Sequence, residues 1–262
     1  MKVIVCVKQV PDTNEVKIDP VKGTLIREGV PSILNPDDAN ALEGALALKD
    51  KYDDVNVTVL TMGPPQAEDM LRECLAMGAD DAIHLSGREF AGGDTWATSN
   101  AIAAAINKMG DYDIIFAGRQ AIDGDTAQVG PQIAERLGIS QVTYVQNFEI
   151  DGNELKIQRQ LEDGYEVINA KTPILLTAIK ELGEPRYMTV KGIYDSFREK
   201  EIKVWGFDHL GIENDQVGLK ASPTRVHKSF VPQPKGQGVM LEGSVQEMTE
   251  KLVVALKQKH LI

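Results

Sequence analysis

The chain has 262 residues, of which 42% are hydrophobic and 26% charged, and its formal net charge is -11. This acidic balance excludes nucleic acids and anionic membranes as expected partners, because both require a basic surface. No apolar run reaches the roughly 20 residues needed to cross a bilayer, and the first residues lack the apolar core of a signal peptide. The chain holds only Cys6 and Cys74 and its histidines are scattered, so we expect a cytoplasmic protein without disulfides or a metal site.

The first half of the chain alternates short β-branched runs with amphipathic helical patterns. The predicted strands are 2–7, 55–60, 82–85 and 113–117, and the predicted helices are 38–51, 66–77 and 94–108. We expect Asp37 or Asp38 to cap the first helix, and Asp94 or Thr95 to cap the third. Strands that alternate with helices form βαβ units, so the sequence predicts an α/β fold with a doubly wound, mainly parallel sheet.

The pattern changes beyond Gly138, where extended runs replace the alternation. The predicted elements are a hairpin of 142–150 and 155–160, strands at 166–170 and 173–178, and a short helix at 190–197. From 206 to 243 the apolar residues follow neither a helical nor a strand periodicity. We therefore expect an arm that lies on another chain. Ser244 and Glu247 form a capping box for a terminal helix that ends near Lys257. The expected organisation is an α/β domain over 1–205, and an arm with a helix over 206–262 that packs on a partner subunit.

Four loops next to predicted strand ends carry polar residues and glycine. They are Lys8 to Asp12, Asn35 to Asp38, Thr61 to Pro65, and the stretch GRQAIDGDTAQVGP from Gly118 to Pro131. The carboxyl ends of parallel strands lie along one edge of a sheet, so we expect these loops to converge on one ligand. Backbone N–H groups of Asp125 to Gln128 could then face an anion, aided by the dipole of a helix that starts near Ala127.

Each feature also has a plainer interpretation, and the residues alone leave both open. The stretch from Gly118 could be only a turn with a helix cap. Asp123 and Asp125 suit ribose hydroxyls, an amine or a cap; a Mg²⁺ site fits least, because Mg²⁺ usually needs a bound phosphate and further oxygen ligands.

Lys8, Cys6 and the pair of Asp94 and Thr95 also have two interpretations each. Lys8 is either a solvated charge or a phosphate contact, and Asp94 with Thr95 is either a helix cap or a second cradle for an anion. Cys6 fits a buried strand position better than a nucleophile, because no histidine lies near it in sequence.

The order and spacing of several motifs resemble the beta subunits of electron transfer flavoproteins over essentially the whole chain. The motifs are VKQVPDT (7–13), LNPDDANALEGAL (34–46), TMGPPQ (61–66), LAMGADDAIHL (75–85), GRQAIDGDTAQVGP (118–131) and EPRYMT (184–189). The resemblance implies an adenine-nucleotide alpha-hydrolase-like fold. It also implies an alpha subunit as partner, which the C-terminal arm embraces.

The resemblance further implies an adenine nucleotide at the sheet edge. Some members of the family hold AMP there as a structural ligand, and members that bifurcate electrons hold FAD. The loop DGDTAQVGP is similar to the bifurcating class, because Gly124 and Thr126 are small and Pro131 fixes the start of the helix. The implied cofactor is therefore FAD, with AMP as the alternative. The predicted cofactor-binding residues are Cys6, Lys8, Asn35, Asp38, Met62, Gly63, Asp94, Thr95, Asp123, Gly124, Asp125, Thr126, Ala127, Gln128, Val129, Gly130 and Pro131.

In the mechanism that the resemblance implies, NADH is the electron donor. One electron then goes to ferredoxin or flavodoxin, and the other goes through the alpha-subunit FAD to an acyl-CoA dehydrogenase. A flavin carries this chemistry itself, so no side chain is expected to act as catalytic acid, base or nucleophile. The predicted docking residues for the dehydrogenase are Glu184, Arg186, Tyr187, Val190 and Ile193. Two other functions remain open: an electron carrier with structural AMP, and a nucleotide-binding stress-type regulator.

Overall fold

A computed structural model of the chain describes residues 1–12, 31–227, 236 and 238–262. These residues belong to two compact units, of which the first comprises residues 1–12 and 31–227 and the second residues 236 and 238–262. The first unit extends past the boundary expected at residue 205, because Leu210 and Val217 are buried in its core. Thr13 of the first motif and residues 228–235 of the expected arm lie outside the described residues.

Within the described residues, nine strands form a single sheet, and two others form a small sheet of their own. In chain order the strands are β1 Lys2–Cys6, β2 Gln9–Pro11, β3 Ser32–Leu34, β4 Asn56–Met62, β5 Asp81–Leu85, β6 Ile114–Gly118, β7 Ser140–Asp151, β8 Glu154–Leu161, β9 Gly164–Lys171, β10 Ile174–Ala178 and β11 Ile202–Trp205. The large sheet has the order β11-β5-β4-β1-β6-β10-β7-β8-β9, and β2 pairs antiparallel with β3. All neighbours from β11 to β7 run parallel, whereas β8 runs antiparallel to both of its neighbours, β7 and β9.

Helices cover both faces of the parallel part of this sheet. The helices are α1 Pro36–Lys51, α2 Ala67–Met77, α3 Thr95–Met109, α4 Val129–Leu137, α5 Val190–Arg198, α6 Gly218–Ala221 and α7 Val245–Gln258. Alternate residues of β1 point to opposite faces: Val3 and Val5 join the core under α1 and α2, while Ile4 and Cys6 join the core under α3 and α4. The predicted doubly wound α/β fold is therefore confirmed.

Several local expectations need correction or addition. Helix α1 begins at Pro36 with Asn35 as its N-cap residue, so neither Asp37 nor Asp38 caps it. A proline is well suited to the first helical position because its fixed φ matches a helix and its missing N–H would have no partner there. Strand β11 was not predicted, since a four-residue edge strand with two exposed side chains has too short a pattern to stand out.

The strand order creates a crevice at one edge of the sheet. Strand β1 lies between β4 and β6, and the chain continues from β1 to β4 on one side and reaches β6 on the other side only later. Such a reversal of direction opens a crevice at the carboxyl ends of the strands, which is where open α/β sheets bind ligands. Here the carboxyl ends of β1 and β6 flank it, so the loops after Cys6 and Gly118 form its walls.

The second unit contains α7, and its predicted capping box is confirmed. Ser244 accepts a hydrogen bond from the Glu247 N–H, and the Glu247 carboxylate accepts one from the Ser244 N–H at 2.7 Å. Across the ranges that the structure describes, every helix is too short or too polar to cross a membrane.

Candidate functional site

Asp38 joins the two strand ends that flank the crevice. Its carboxylate accepts the Lys8 N–H at 2.8 Å, just after β1, and the Gly118 N–H at 2.9 Å, at the end of β6. The side chain is buried, and burial raises its pKa from 3.8 to about 7 although these hydrogen bonds act in the opposite direction. Gly118 is needed for this approach, because a Cβ there would lie 2.4 Å from Asp38 Oδ1.

Asn35 holds the loop that follows β6. Its side-chain amide donates to the Gln120 carbonyl at 2.8 Å and accepts the Ile122 N–H at 3.1 Å, while its own N–H donates to the Lys8 carbonyl at 2.9 Å. The side chain is fully buried. Asn35 uses both ends of its amide in this way, so it fixes the loop and does not provide a side-chain cap for α1.

Two further contacts shape the same loop from inside the crevice. Lys8 Nζ lies 2.6 Å from Asp123 Oδ1, and Gln120 Nε2 donates to Asp125 Oδ1 at 2.9 Å. The Lys8 charge therefore meets a carboxylate of the loop itself, and its predicted contact with a phosphate stays a prediction. In the described part of the chain, no group of three His, Cys, Asp or Glu side chains could hold a metal ion.

The backbone of the loop is unusual just before α4. Asp125 and Ala127 have φ angles of 50° and 51°, a region that residues other than glycine seldom adopt. Such residues cost about 1–3 kcal/mol each and gather at ligand sites, where the surroundings hold them in place. The site predicted at this loop therefore coincides with measurable backbone strain.

The start of α4 has unused hydrogen-bond donors. Its N-cap residue Gln128 makes no side-chain cap, and the first intrahelical bond runs from the Gln132 N–H to the Gln128 carbonyl. The N–H groups of Gln128, Val129 and Gly130 thus have no partner within the helix, and Pro131 has no N–H to offer. The helix starts two residues later than the sequence predicted, and its N-terminus provides donors and a positive dipole end that suit an anion.

The second predicted helix start is already capped. Asp94 accepts the Ala97 N–H of α3 at 3.1 Å, and its other oxygen accepts the Thr224 hydroxyl at 2.7 Å. The prediction of Asp94 as helix cap is confirmed. Thr95 links this helix to α4, because its hydroxyl lies 3.1 Å from Gln128 Oε1. A carboxylate at this position does not favour an anion, so α3 adds no support for a second phosphate contact.

The remaining predicted site residues lie around the same edge. Met62 ends β4 and Gly63 follows it. The Gly63 N–H donates to the Leu85 carbonyl at 3.0 Å, and Nε2 of the buried His84 lies 3.1 Å from the Gly63 carbonyl. Cys6 is buried at the end of β1, and burial raises the pKa of its thiol to about 12. A thiol with that pKa is not a nucleophile at neutral pH. Gly124 and Thr126 are exposed in the loop.

Two residues of the site were missed by sequence reasoning. Gly118 and Gln120 were quoted in the loop but not chosen, although one is pressed against Asp38 and the other contacts both Asn35 and Asp125. The glycine at the end of a buried strand was the available signal, because it marks a close approach of backbone. The role of Gln120 depends on partners far away in the chain, and no local pattern reveals it.

The predicted docking residues lie in and before α5. Tyr187 and Val190 are 94% and 87% exposed, and Glu184 and Ile193 are exposed as well. Arg186 differs from them, because its guanidinium points to acidic side chains of α1, with Nη2 lying 2.7 Å from Glu43 Oε1.

Comparison with known proteins shows which protein family the sequence matches. A family model described as an electron transfer flavoprotein domain matches residues 22–209. The electron transfer flavoprotein subunit beta of Clostridium acetobutylicum is 60% identical over 262 residues, which is 100% of each chain. The caffeyl-CoA reductase-Etf complex subunit CarD of Acetobacterium woodii is 58% identical over 263 residues, and the acryloyl-CoA reductase electron transfer subunit gamma of Anaerotignum propionicum is 53% identical over 270 residues, both across 100% of each chain.

The similarity to the Clostridium acetobutylicum subunit extends over the whole sequence and includes the loops that follow β1 and β6. The strand order reverses at β1, and open α/β sheets bind ligands at such a point. It belongs to the electron transfer flavoprotein family, among the beta subunits.

Proposed function

We propose that this chain is the beta subunit of an electron-bifurcating electron transfer flavoprotein and that FAD binds in the crevice between β1 and β6. NADH is the proposed electron donor, and the proposed acceptors are ferredoxin or flavodoxin and, through the FAD of an alpha subunit, an acyl-CoA dehydrogenase. When bound, the flavin supplies the two-electron and one-electron redox chemistry. The side chains of this chain bind and orient it, and we assign none of them a catalytic role.

The observation that carries the proposal is the uncapped start of α4 beside a strained loop. The N–H groups of Gln128, Val129 and Gly130 suit phosphate oxygens, and the left-handed turns at Asp125 and Ala127 direct the loop into that start. Asn35 and Asp38 act behind this layer as positioning residues, because their polar atoms bind the loop and the strand ends.

The loop also leaves open space beside Gly124, as a ligand with two phosphate groups would require. A Cβ added to Gly124 would meet no atom of this chain within 4 Å, and the side chains of Thr126 and Gln128 are exposed. Relatives whose names include a caffeyl-CoA or an acryloyl-CoA reductase give further support, since these names couple electron transfer to an acyl-CoA reaction. The alternative is a carrier with structural AMP, which would need a smaller site. The family assignment gives no support to the stress-type regulator.

The exposed face of α5 supports docking of the dehydrogenase. The face of α5 that carries small residues packs on α2. A Cβ on Gly192 would lie 2.2 Å from the Ala76 carbonyl oxygen, and Ser196 on the same face is buried. Its apolar side chains face outward, with Val190, Tyr194 and Phe197 exposed by 87%, 60% and 63%. A helix that exposes its apolar side is expected to bind a partner.

Chromatography of the nucleotides released from the denatured heterodimer tests the proposal. We expect two FAD and no AMP for each heterodimer. One FAD with one AMP would contradict bifurcation and leave the plain electron carrier.

A further inference from the structure

Residues 183–186, which lead into α5, are bound to one side of α1. Asn40 Nδ2 donates to the Gly183 carbonyl at 2.7 Å, and Glu43 accepts from the Arg186 N–H at 3.0 Å and from Nη2 at 2.7 Å. The same Nη2 donates to Asp50 at 2.7 Å. Asn40, Glu43 and Asp50 are three and seven residues apart, so they lie along one face of the helix.

The Arg186 guanidinium is held by the acidic side chains of α1. Glu43 and Asp50 raise the pKa of its guanidinium, and Arg186 in turn lowers the pKa of Asp50. The Glu43 side chain is 14% exposed, so the pair is partly removed from solvent. The Arg186 guanidinium bonds to both oxygens of Glu43, from Nε to Oε2 and from Nη2 to Oε1, a geometry that a lysine cannot reproduce. Arg186 was predicted as a docking residue, and in this structure its guanidinium binds α1.

A second arginine holds the other end of α5. Arg72 of α2 donates to the Ser196 carbonyl and, at 2.9 Å, to the Lys200 carbonyl, so it caps the last turn of the helix. The body of α5 is therefore bound to α2, while the segment before it is bound to α1 through Arg186. Tyr187 directly follows Arg186 and is 94% exposed.

We infer that Arg186 is a positioning residue for docking, which holds Tyr187 to Val190 in the arrangement that the dehydrogenase binds. This inference rests on the proposed docking role of α5. Without the bond to α1, the segment would sample other conformations, and binding would have to order it again. Arg186 thereby links the docking segment to the helix whose first turn, at Asp38, forms part of the nucleotide crevice.

The experiment compares heterodimers that carry Arg186→Gln, Glu43→Gln, both changes, Arg186→Lys or Val190→Ala. A matched control is Arg159→Gln, which removes an arginine–glutamate pair of β8 and β9 with a side chain of similar exposure. Electron exchange is measured with an acyl-CoA dehydrogenase for which the wild-type heterodimer shows saturation kinetics. The concentration of each heterodimer is varied to obtain its KM and kcat. Amide hydrogen exchange over residues 184–190, dye reduction and nucleotide content are measured on the same samples.

For Arg186→Gln we expect faster amide exchange over 184–190, and a KM for the heterodimer that rises about tenfold at unchanged kcat. Dye reduction and nucleotide content should not change. Glu43→Gln should act in the same direction, and the double variant should be no worse than the stronger single variant, because both changes break one interaction. Arg186→Lys should lie between Arg186→Gln and the wild type.

Three results would overturn the inference. If Arg186→Gln leaves the KM unchanged while Val190→Ala raises it, docking on α5 stands and the role of Arg186 is wrong. If neither variant changes the KM, the docking proposal itself fails. If Arg186→Gln also lowers dye reduction or nucleotide content, the residue supports the whole fold and has no particular role in docking.

Discussion

At the scale of single residues, Asp38 is the most unusual group in the protein. It is a buried carboxylate that binds two backbone N–H groups from separate strand ends, and burial raises its pKa to about 7. Because the pKa in the folded protein lies above the ordinary 3.8, the folded state binds a proton more tightly than the unfolded state. The stability that this proton contributes is complete below pH 3.8 and is lost as the pH rises toward 7.

We therefore predict a pH-dependent difference in Tm between the wild-type heterodimer and Asp38→Asn. The variant has no carboxyl group to titrate, so its Tm relative to that of the wild type should increase from pH 5 to about pH 7 and then level off. The slope corresponds to at most ~1.4 kcal/mol per pH unit. Differential scanning calorimetry at pH 5, 6, 7 and 8 measures it, and a constant difference would show that Asp38 does not titrate in this range.

Gly124 is a position where a substitution should change ligand binding without changing the fold. No atom of the chain lies within 4 Å of a Cβ placed there, so Gly124→Glu should leave the fold intact. It should weaken FAD binding at least about tenfold, because a carboxylate beside phosphate oxygens is repelled. Titration of the nucleotide-depleted heterodimer with FAD measures this effect. Asn153→Glu adds the same charge at the exposed β7–β8 turn and should bind FAD like the wild type.

At the scale of elements, the helices show how the same residue types serve different purposes. Asp94 caps α3 and Ser244 caps α7, as their sequences predict, because each side chain reaches an N–H three residues away. Asp38 has the same position relative to a helical pattern but binds strands instead. Local sequence is decisive only where no distant partner competes for the side chain.

Helix α5 is the element whose exposed face can be tested directly. Val190→Ala should lower the apparent affinity for the acyl-CoA dehydrogenase by about tenfold, because truncating an apolar anchor at an interface commonly costs ~1–2 kcal/mol. Val190 is 87% exposed, so the fold should not depend on it. Dye reduction by the same heterodimer serves as the control. Parallel loss of both activities would make Val190 a structural residue.

At the scale of the molecule, apolar side chains are exposed in the second unit. The exposed residues of α7 and its ends are Val245, Leu252, Val253, Val254, Leu261 and Ile262. Val239 and Met240, from the expected arm, are 87% and 86% exposed. An exposed apolar surface of this kind favours a partner subunit or aggregation.

We predict that the chain is stable only as a heterodimer with an alpha subunit. Expressed alone it should aggregate or be degraded, and co-expression with the alpha subunit should give a soluble 1:1 complex. Size-exclusion chromatography with light scattering measures both states. A monodisperse, nucleotide-loaded monomer would contradict the prediction.

The sequence by itself determined much of the architecture. Periodicity predicted the parallel strands β1, β4, β5 and β6, the helices between them and the β7–β8 hairpin, because burial of one side repeats along each element. Glycine and polar residues after a buried strand predicted the loop from Gly118, because turn chemistry is local. The motif pattern identified the family, which the similarity over the whole chain confirms.

Only the tertiary structure decided which distant groups meet. Lys8 and Asp123 are 115 residues apart in the chain, and Arg186 and Glu43 are 143 residues apart, yet both pairs make direct contact. The insertion of β10 between β6 and β7 likewise follows from the sheet order and from no local pattern. A pattern over a few residues reports only interactions within one element, whereas these contacts depend on how separate elements pack. For that reason the sequence predicted a cluster of loops at the carboxyl edge of the sheet, but it could not show that Lys8 meets Asp123 or that Arg186 binds α1.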